Sequence, residues 1–352
     1  MQQPIRRCLP VQKGNNNHNK VSRKTITITM ILLLGALRTL QAQVDPHFSQ
    51  FYAYPLWLNP ALTGVFDGTA RVNLNFKDQW ANVSDGYLTT GLSADFKTTD
   101  KVSLGFNLLN QTAGAAAYNY FAAYGTFGYG IAVSSDGTKK LSFGLQAGII
   151  NRSYQPYNLQ FDDQYDPTVG FNPNLPSGEN FLTTSATIFD AAAGVYFYDT
   201  DPQSTANVFG GIAVAHLTDA NDPFATDGIK SKLPIRFNIH GGVKIRASDW
   251  IDITPNLLYI RQQQNQIRAV DLNAELKFQN SYGLILGAMY RIDDAVVADL
   301  GYRIKDMVIS LSYDFNTSPL EVATNGQGGF ELSLSYVFGA GSTNPSNSTP
   351  RF

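Results

Sequence analysis

Cysteine occurs once in this chain, at Cys8, so everything beyond the first few residues lacks a thiol. Disulfides, cysteine-based metal sites and cysteine nucleophiles are thereby excluded from the rest of the protein. Charge is sparse too, with Asp, Glu, Lys and Arg at only 15% of the residues. After Leu37 no long apolar run follows, so no helix of the roughly 20 apolar residues that a bilayer demands is expected. No Gly-x-Ser-x-Gly elbow is present, and no histidine cluster has ligand spacing. Catalysis, a metal site and a bound cofactor are therefore not expected.

What is present begins with an address. Arg6, Arg7, Lys13, Lys20, Arg23 and Lys24 precede an apolar stretch from Ile26 to Leu37, and Leu40-Gln41-Ala42 offers a small-residue cleavage site before Gln43. Residues 1–42 read as a signal peptide, because about twelve apolar residues interrupted by threonines are too short for a membrane anchor. Cys8 lies upstream of the apolar stretch, not where a lipoprotein is acylated. Removing this leader takes away seven Lys/Arg and no acid, which leaves 19 basic against 28 acidic residues and a net charge of −9. No basic stripe survives, so no nucleic acid is expected as a partner.

From Ala70 onward a period of two dominates, the mark of strands. Val72, Leu74 and Phe76 alternate with Arg71, Asn73 and Asn75; Val270, Leu272, Ala274, Leu276 and Phe278 alternate with Asp271, Asn273, Glu275 and Lys277. The last such stretch, Phe330 to Phe338, ends on an aromatic like many barrel-closing strands. About fourteen segments are expected, beginning near residues 70, 87, 101, 117, 140, 185, 205, 235, 250, 268, 281, 296, 308 and 330. An even number of strands with dyad alternation, few charges, and aromatics such as Trp80, Tyr87, Tyr259, Tyr290 and Tyr302 near strand ends predicts an all-β fold, a transmembrane outer-membrane β-barrel of about 14 antiparallel strands. A soluble sandwich or jelly roll is the alternative, since alternation alone does not distinguish lipid from a protein core.

Gap lengths point the same way. Both ends of an even-stranded barrel share a side, and the gaps on that side are short; the other side carries the long segments 151–184, 217–234 and 316–329, expected to be extracellular. The chain thus divides into the leader (1–42), an N-terminal periplasmic or plug segment (43–69), the barrel (70–338) and a polar tail (339–352). Arg71, Asn73, Asp95, Arg236, His240, Lys244, Asp271, Glu275, Lys277, Asp299 and Arg303 are expected to face the lumen, their mixed signs suggesting pairing across it.

Between leader and barrel stand Gln43-Val44-Asp45-Pro46-His47-Phe48-Ser49-Gln50-Phe51-Tyr52 and Pro55-Leu56-Trp57-Leu58-Asn59-Pro60-Ala61-Leu62-Thr63-Gly64, followed by Phe76-Lys77-Asp78-Gln79-Trp80. With Asp314-Phe315-Asn316-Thr317-Ser318-Pro319 and Gly328 to Tyr336 near the end, these closely resemble the PorP/SprF family of type IX secretion system outer-membrane proteins. The resemblance covers essentially the whole chain after the leader. It departs at Lys77-Asp78, where the family pattern leads one to expect Arg-Asn, and in the polar tail after Phe338.

The resemblance implies a non-enzymatic barrel in the outer membrane of a Bacteroidetes-type bacterium, working in protein secretion or gliding motility. The implied partners are outer-membrane lipid and a periplasmic peptidoglycan-linked component, as for core members, and/or a large secreted adhesin held at the surface, as for others. Prolines 46, 55 and 60 keep the N-terminal segment from pairing as a strand, so it docks either as a plug in the periplasmic mouth or against a partner. The candidate residues for that docking are Asp45, Pro46, His47, Phe48, Phe51, Tyr52, Trp57, Asn59 and Pro60, together with Gln79 and Trp80. A passive channel for hydrophobic or small solutes, of the fourteen-strand transporter type that also has an N-terminal hatch and often carries an Asn-Pro-Ala triplet, is the competing function. The acidic loop around Asp162, Asp163 and Asp166 reads as solvated rather than as a calcium loop, since Pro167 and Pro173 stand where an EF-hand needs Gly and Glu.

Overall fold

The computed structural model describes residues 45–81, 86–114, 117–179, 183–221, 232–319 and 321–339. The expected signal peptide (1–42) and all of the polar tail after Gly339 lie outside the described residues. No described helix is long and apolar enough to cross a membrane.

Among the described residues, fourteen antiparallel strands close into one barrel. In chain order the strands are β1 (Ala70–Gln79), β2 (Tyr87–Lys97), β3 (Val102–Ala113), β4 (Tyr118–Ala132), β5 (Lys139–Ser153), a two-strand hairpin β6 (Tyr165–Asp166) and β7 (Gly170–Phe171), β8 (Ser185–Asp199), β9 (Ala206–Ala215), β10 (Arg236–Ser248), β11 (Ile251–Gln262), β12 (Asn265–Lys277), β13 (Tyr282–Arg291), β14 (Ala295–Ile304), β15 (Met307–Asn316) and β16 (Gln327–Phe338). The hairpin lies outside the barrel sheet. Each expected segment start falls within three residues of an observed one. β1 closes on β16 in register from Ala70↔Phe338 to Gln79↔Gly329, so the sheet has no free edge there.

The period of two decides which face each residue takes. Leu257 is 61% exposed, while its neighbour Leu258 is 6% exposed. Leu74, Phe76, Leu145, Leu272 and Leu300 crowd the outer face, an apolar surface that only lipid can cover. All of the charged residues expected in the lumen do face inward, but their pairing differs from the expectation. Arg71 bonds Asp95 on the adjacent strand, Lys244 and Lys277 share Asp252 on the strand between them, and Arg303 reaches Glu275 two strands away. Pairing runs along the wall because strand neighbours lie about 5 Å apart, a distance these side chains span, whereas the lumen is too wide for them. What crosses the lumen is the N-terminal segment.

β4, β5 and β8 are the longest strands. β8 pairs β5 over its whole length but pairs β9 only from Tyr198↔Phe209 to Ala192↔Ala215. There the chain leaves the sheet at His216, whose φ of 63° is left-handed. This bend turns the His216 side chain into the barrel.

Candidate functional site

Side chains fill a barrel of about eight strands, while 16 or more leave an aqueous channel. Fourteen strands leave a space too large for their own residues, and Asp45 to Phe66 occupies it. The three prolines shape this segment. Pro55 starts a single helical turn, Pro55–Leu58, and Pro60 starts a 3-10 turn, Pro60–Leu62. Asn59, just before it, caps that turn through Oδ1, which accepts from Ala61 N at 2.9 Å.

The segment's short turns pair some of its buried backbone groups; the others must find partners outside it, and the wall supplies them. The Glu331 carboxylate accepts from two consecutive amides, Ser49 N at 2.7 Å and Gln50 N at 3.0 Å. Gln262 accepts from Asp45 N. Arg236 donates to Trp57 O and Asn238 to Leu58 O. Arg71 donates to Leu62 O, and Asp95 accepts from Gly64 N. Side chains add to this: Asn59 Nδ2 donates to Val195 O and lies 3.1 Å from His240 Nε2, and the Tyr54 hydroxyl donates to Leu108 O at 2.6 Å.

Two buried ionic hubs anchor the upper part. In one, Ser49 Oγ donates to Asp314 at 2.7 Å and accepts from Lys77 Nζ at 2.8 Å and Arg291 at 3.1 Å. In the other, Asp45 Oδ2 lies 2.6 Å from His216 Nε2 and 3.1 Å from Arg236, while His216 Nδ1 reaches Asp190 at 3.0 Å. Burial opposes both charges in this second hub. The His216 and Arg236 charges nevertheless hold the Asp45 carboxyl well below its usual range, and Asp45 and Asp190 raise His216 to about 9.

A histidine raised in this way contributes stability that is fully present below its unfolded value of about 6.5 and is lost as pH rises through about 9, an effect of about 3 kcal/mol. Asp45, being depressed, loses its contribution only in strong acid. The melting midpoint of the detergent-solubilised barrel is expected to fall between pH 7 and pH 10, and His216→Gln is expected to flatten that dependence. An unchanged slope in the variant would remove His216 from this role.

Phe48, Phe51, Pro46, Pro60 and Asn59 are buried; His47, Tyr52 and Trp57 are half-buried. Trp57 Nε1 donates to Pro46 O, and the Arg236 guanidinium lies over the Trp57 ring. The structure brings nine of the eleven candidate residues together in the lumen. Gln79 and Trp80 are elsewhere, at the end of β1, where Trp80 packs edge-on against Tyr87. The segment is not confined to the periplasmic mouth either: Gly64 sits by Asp95 near the short-turn end, whereas Asp45 sits by His216 and Gln262 at the long-loop end.

Lys77, Asp190, Arg291, Asp314 and Glu331 do not stand out in the sequence as anchors, because a polar residue on the inner face reads the same whether it meets water or the plug. A signal does exist in lost alternation. Leu257-Leu258-Tyr259-Ile260 is apolar on both faces, and Leu258 and Ile260 join Phe51, Leu58, Met289 and Val297 in one cluster. The acidic loop spends carboxylates on its own turns, with Asp166 accepting from Thr168 N and Val169 N. Among the described residues no group of three or more His, Cys, Asp or Glu is placed to hold a metal ion.

The family description "Type IX secretion system membrane protein PorP/SprF" matches residues 40–336. The chain belongs to the PorP/SprF family. As a PorP/SprF barrel it resides in the outer membrane, as a membrane component of type IX secretion. Among curated proteins no sequence match is found. Similar solved structures include the CymD monoaromatic hydrocarbon channel, 12% identical, covering 82% of this chain and 93% of that one with a TM-score of 0.49. The Pseudomonas putida toluene transporter TodX is 12% identical, covering 83% and 94%, with a TM-score of 0.48.

Proposed function

We propose that this PorP/SprF barrel is a non-enzymatic scaffold of the type IX secretion or gliding machinery, acting by binding alone. On this reading the long-loop face docks or anchors an exported surface protein such as a large adhesin, and the periplasmic face grips a peptidoglycan-linked partner. The observation that supports it best is the filled lumen. A segment held by Glu331, Arg236 and the Val195 carbonyl occupies the path that a permanently open channel would need. The long-loop face also offers exposed apolar side chains, Tyr157, Val169 and Val322 among them, of the kind that mark interaction surfaces.

The test is purification of the tagged protein from native outer membranes in mild detergent, with mass spectrometry of what accompanies it. A stoichiometric periplasmic or secreted partner is the expected result. A barrel that elutes alone and conducts steadily in planar bilayers would sink the scaffold reading in favour of a passive channel.

A further inference from the structure

The lipid-facing wall is not uniformly apolar. In register across β16, β1, β2, β3 and β4 stand the outward residues Leu332, Phe76, Thr90, Asn110 and Phe121. Two small polar side chains thus hold the centre of a row that is large and apolar on its other three strands. One step toward the short turns the row reads Leu334, Leu74, Leu92 and Leu108. The result is a groove of about 420 Å³ on the outer face, with Thr90 and Asn110 as its floor, the two phenylalanines on either side and the leucines along its lower edge. Asn75, Gly91 and Leu109, which belong to the inner face, close it from behind. Among the described residues no charged side chain lines it.

The floor is left unsatisfied. On the inner face the neighbouring cross-strand pair bonds to itself, with Gln111 Nε2 donating to the Thr89 hydroxyl at 2.9 Å. Thr90 and Asn110 stand opposite one another on the same two strands, yet among the described residues neither side chain has a hydrogen-bond partner. Water satisfies such groups on a soluble protein, whereas on this face only lipid or another membrane protein can do so. Depth narrows the choice. Trp80 and Tyr87 pack edge-on at the long-loop ends of β1 and β2, and such aromatics collect at headgroup level. Thr90 lies three residues further in, about 10 Å along the strand and about 7 Å in depth at a tilt of about 45°. At that depth the chains of a membrane lipid join their headgroup through carbonyl groups. Width narrows it further. Phe76 and Phe121 stand three strand spacings apart, about 14 Å, and once their rings are allowed for the floor is narrower than the about 10–12 Å of an α-helix.

We propose that this groove binds one membrane lipid: an acyl chain lies between Phe76 and Phe121 along the leucine row, and a carbonyl oxygen at the head of that chain accepts from Asn110 Nδ2 and the Thr90 hydroxyl. Both donors are then satisfied where water is scarce, and the chain restores the dispersion contacts that an empty groove forfeits. Trp80, which the plug does not use, borders the headgroup of the same lipid. The site rests on the outer-membrane location alone and stands independently of the scaffold reading.

Native mass spectrometry of the barrel, delipidated in detergent and titrated with palmitoyl-oleoyl phosphatidylethanolamine, tests it. One lipid per barrel is expected to survive the activation that strips all others. The double variant Thr90→Val with Asn110→Leu removes both donors and fills the floor; it is expected to weaken that lipid by about 10-fold or more, as the loss of two hydrogen bonds implies. Apolar residues suit this face, so the double variant is expected to melt no lower than the wild type, and its loss of lipid is then not a loss of fold. Thr90→Val alone, which exchanges a hydroxyl for a methyl group, is expected to fall between. Leu272→Ala, on the outer face of β12, is expected to keep the lipid. No retained lipid in the wild type, equal retention in the double variant, or equal loss in Leu272→Ala each overturns the proposal. A dimer that the double variant dissociates overturns it too, by giving the groove to a second copy.

Discussion

Gly144→Val is expected to convert a closed barrel into a conducting one. A Cβ on Gly144 would fall 2.1 Å from Ala61 N and from Pro60 C, inside the backbone of the plug. Backbone cannot swing aside as a flexible side chain does, so the cost exceeds the roughly 1–3 kcal/mol usual for overpacking. The wall itself holds: β5 is paired along its length with β4 and β8, and valine suits a strand. The strain therefore falls on the seat of Pro60-Ala61, and the plug leaves it. Gly194→Val acts at the same place, since its Cβ would fall 2.0 Å from Asn59 Oδ1. Single-channel recording in planar bilayers is the measurement, with steady conductance in the variants against low conductance in the wild type. Variants that melt like the wild type and stay closed would mean that the segment does not rest in these seats.

Glu331→Ala is expected to free the upper half of the plug while the barrel stays folded. It leaves two buried amides, Ser49 N and Gln50 N, without their acceptor. Each unsatisfied group costs about 1–3 kcal/mol, so together they loosen the segment by about 3 kcal/mol, or roughly 100-fold in local opening. Amide hydrogen exchange at residues 49 and 50 reads this directly. Glu331→Gln retains one acceptor oxygen and is expected to fall between. Protection at Ser49 unchanged in the alanine variant would assign the hold to Lys77, Arg291 and Asp314 instead.

These two positions illustrate what was legible. Nothing in the sequence marks Gly144 and Gly194; only the threading of Asn59, Pro60 and Ala61 past them makes them seats. Glu331 sits in Phe330-Glu331-Leu332, an ordinary alternation that places it in the lumen without naming its partner. The pairing of lumen charges was misread for the same reason. Alternation assigns Arg71 and Asp95 to a face, while register sets them side by side on β1 and β2. Asp45 and Tyr52 were singled out in the sequence because a proline-broken aromatic segment has to dock somewhere; that it does so along the height of the lumen was not foreseeable.

The sequence by itself determined the class of the fold, the strand positions and the family, because side-chain alternation is local and lipid on one face forces it strand by strand. The tertiary structure alone decided how the lumen is filled and which polar residues grip the plug. Those contacts join residues more than two hundred positions apart, such as Ser49 to Glu331 and Asp45 to Gln262. Nothing local specifies them; they follow from barrel closure, which fixes every strand's register at once.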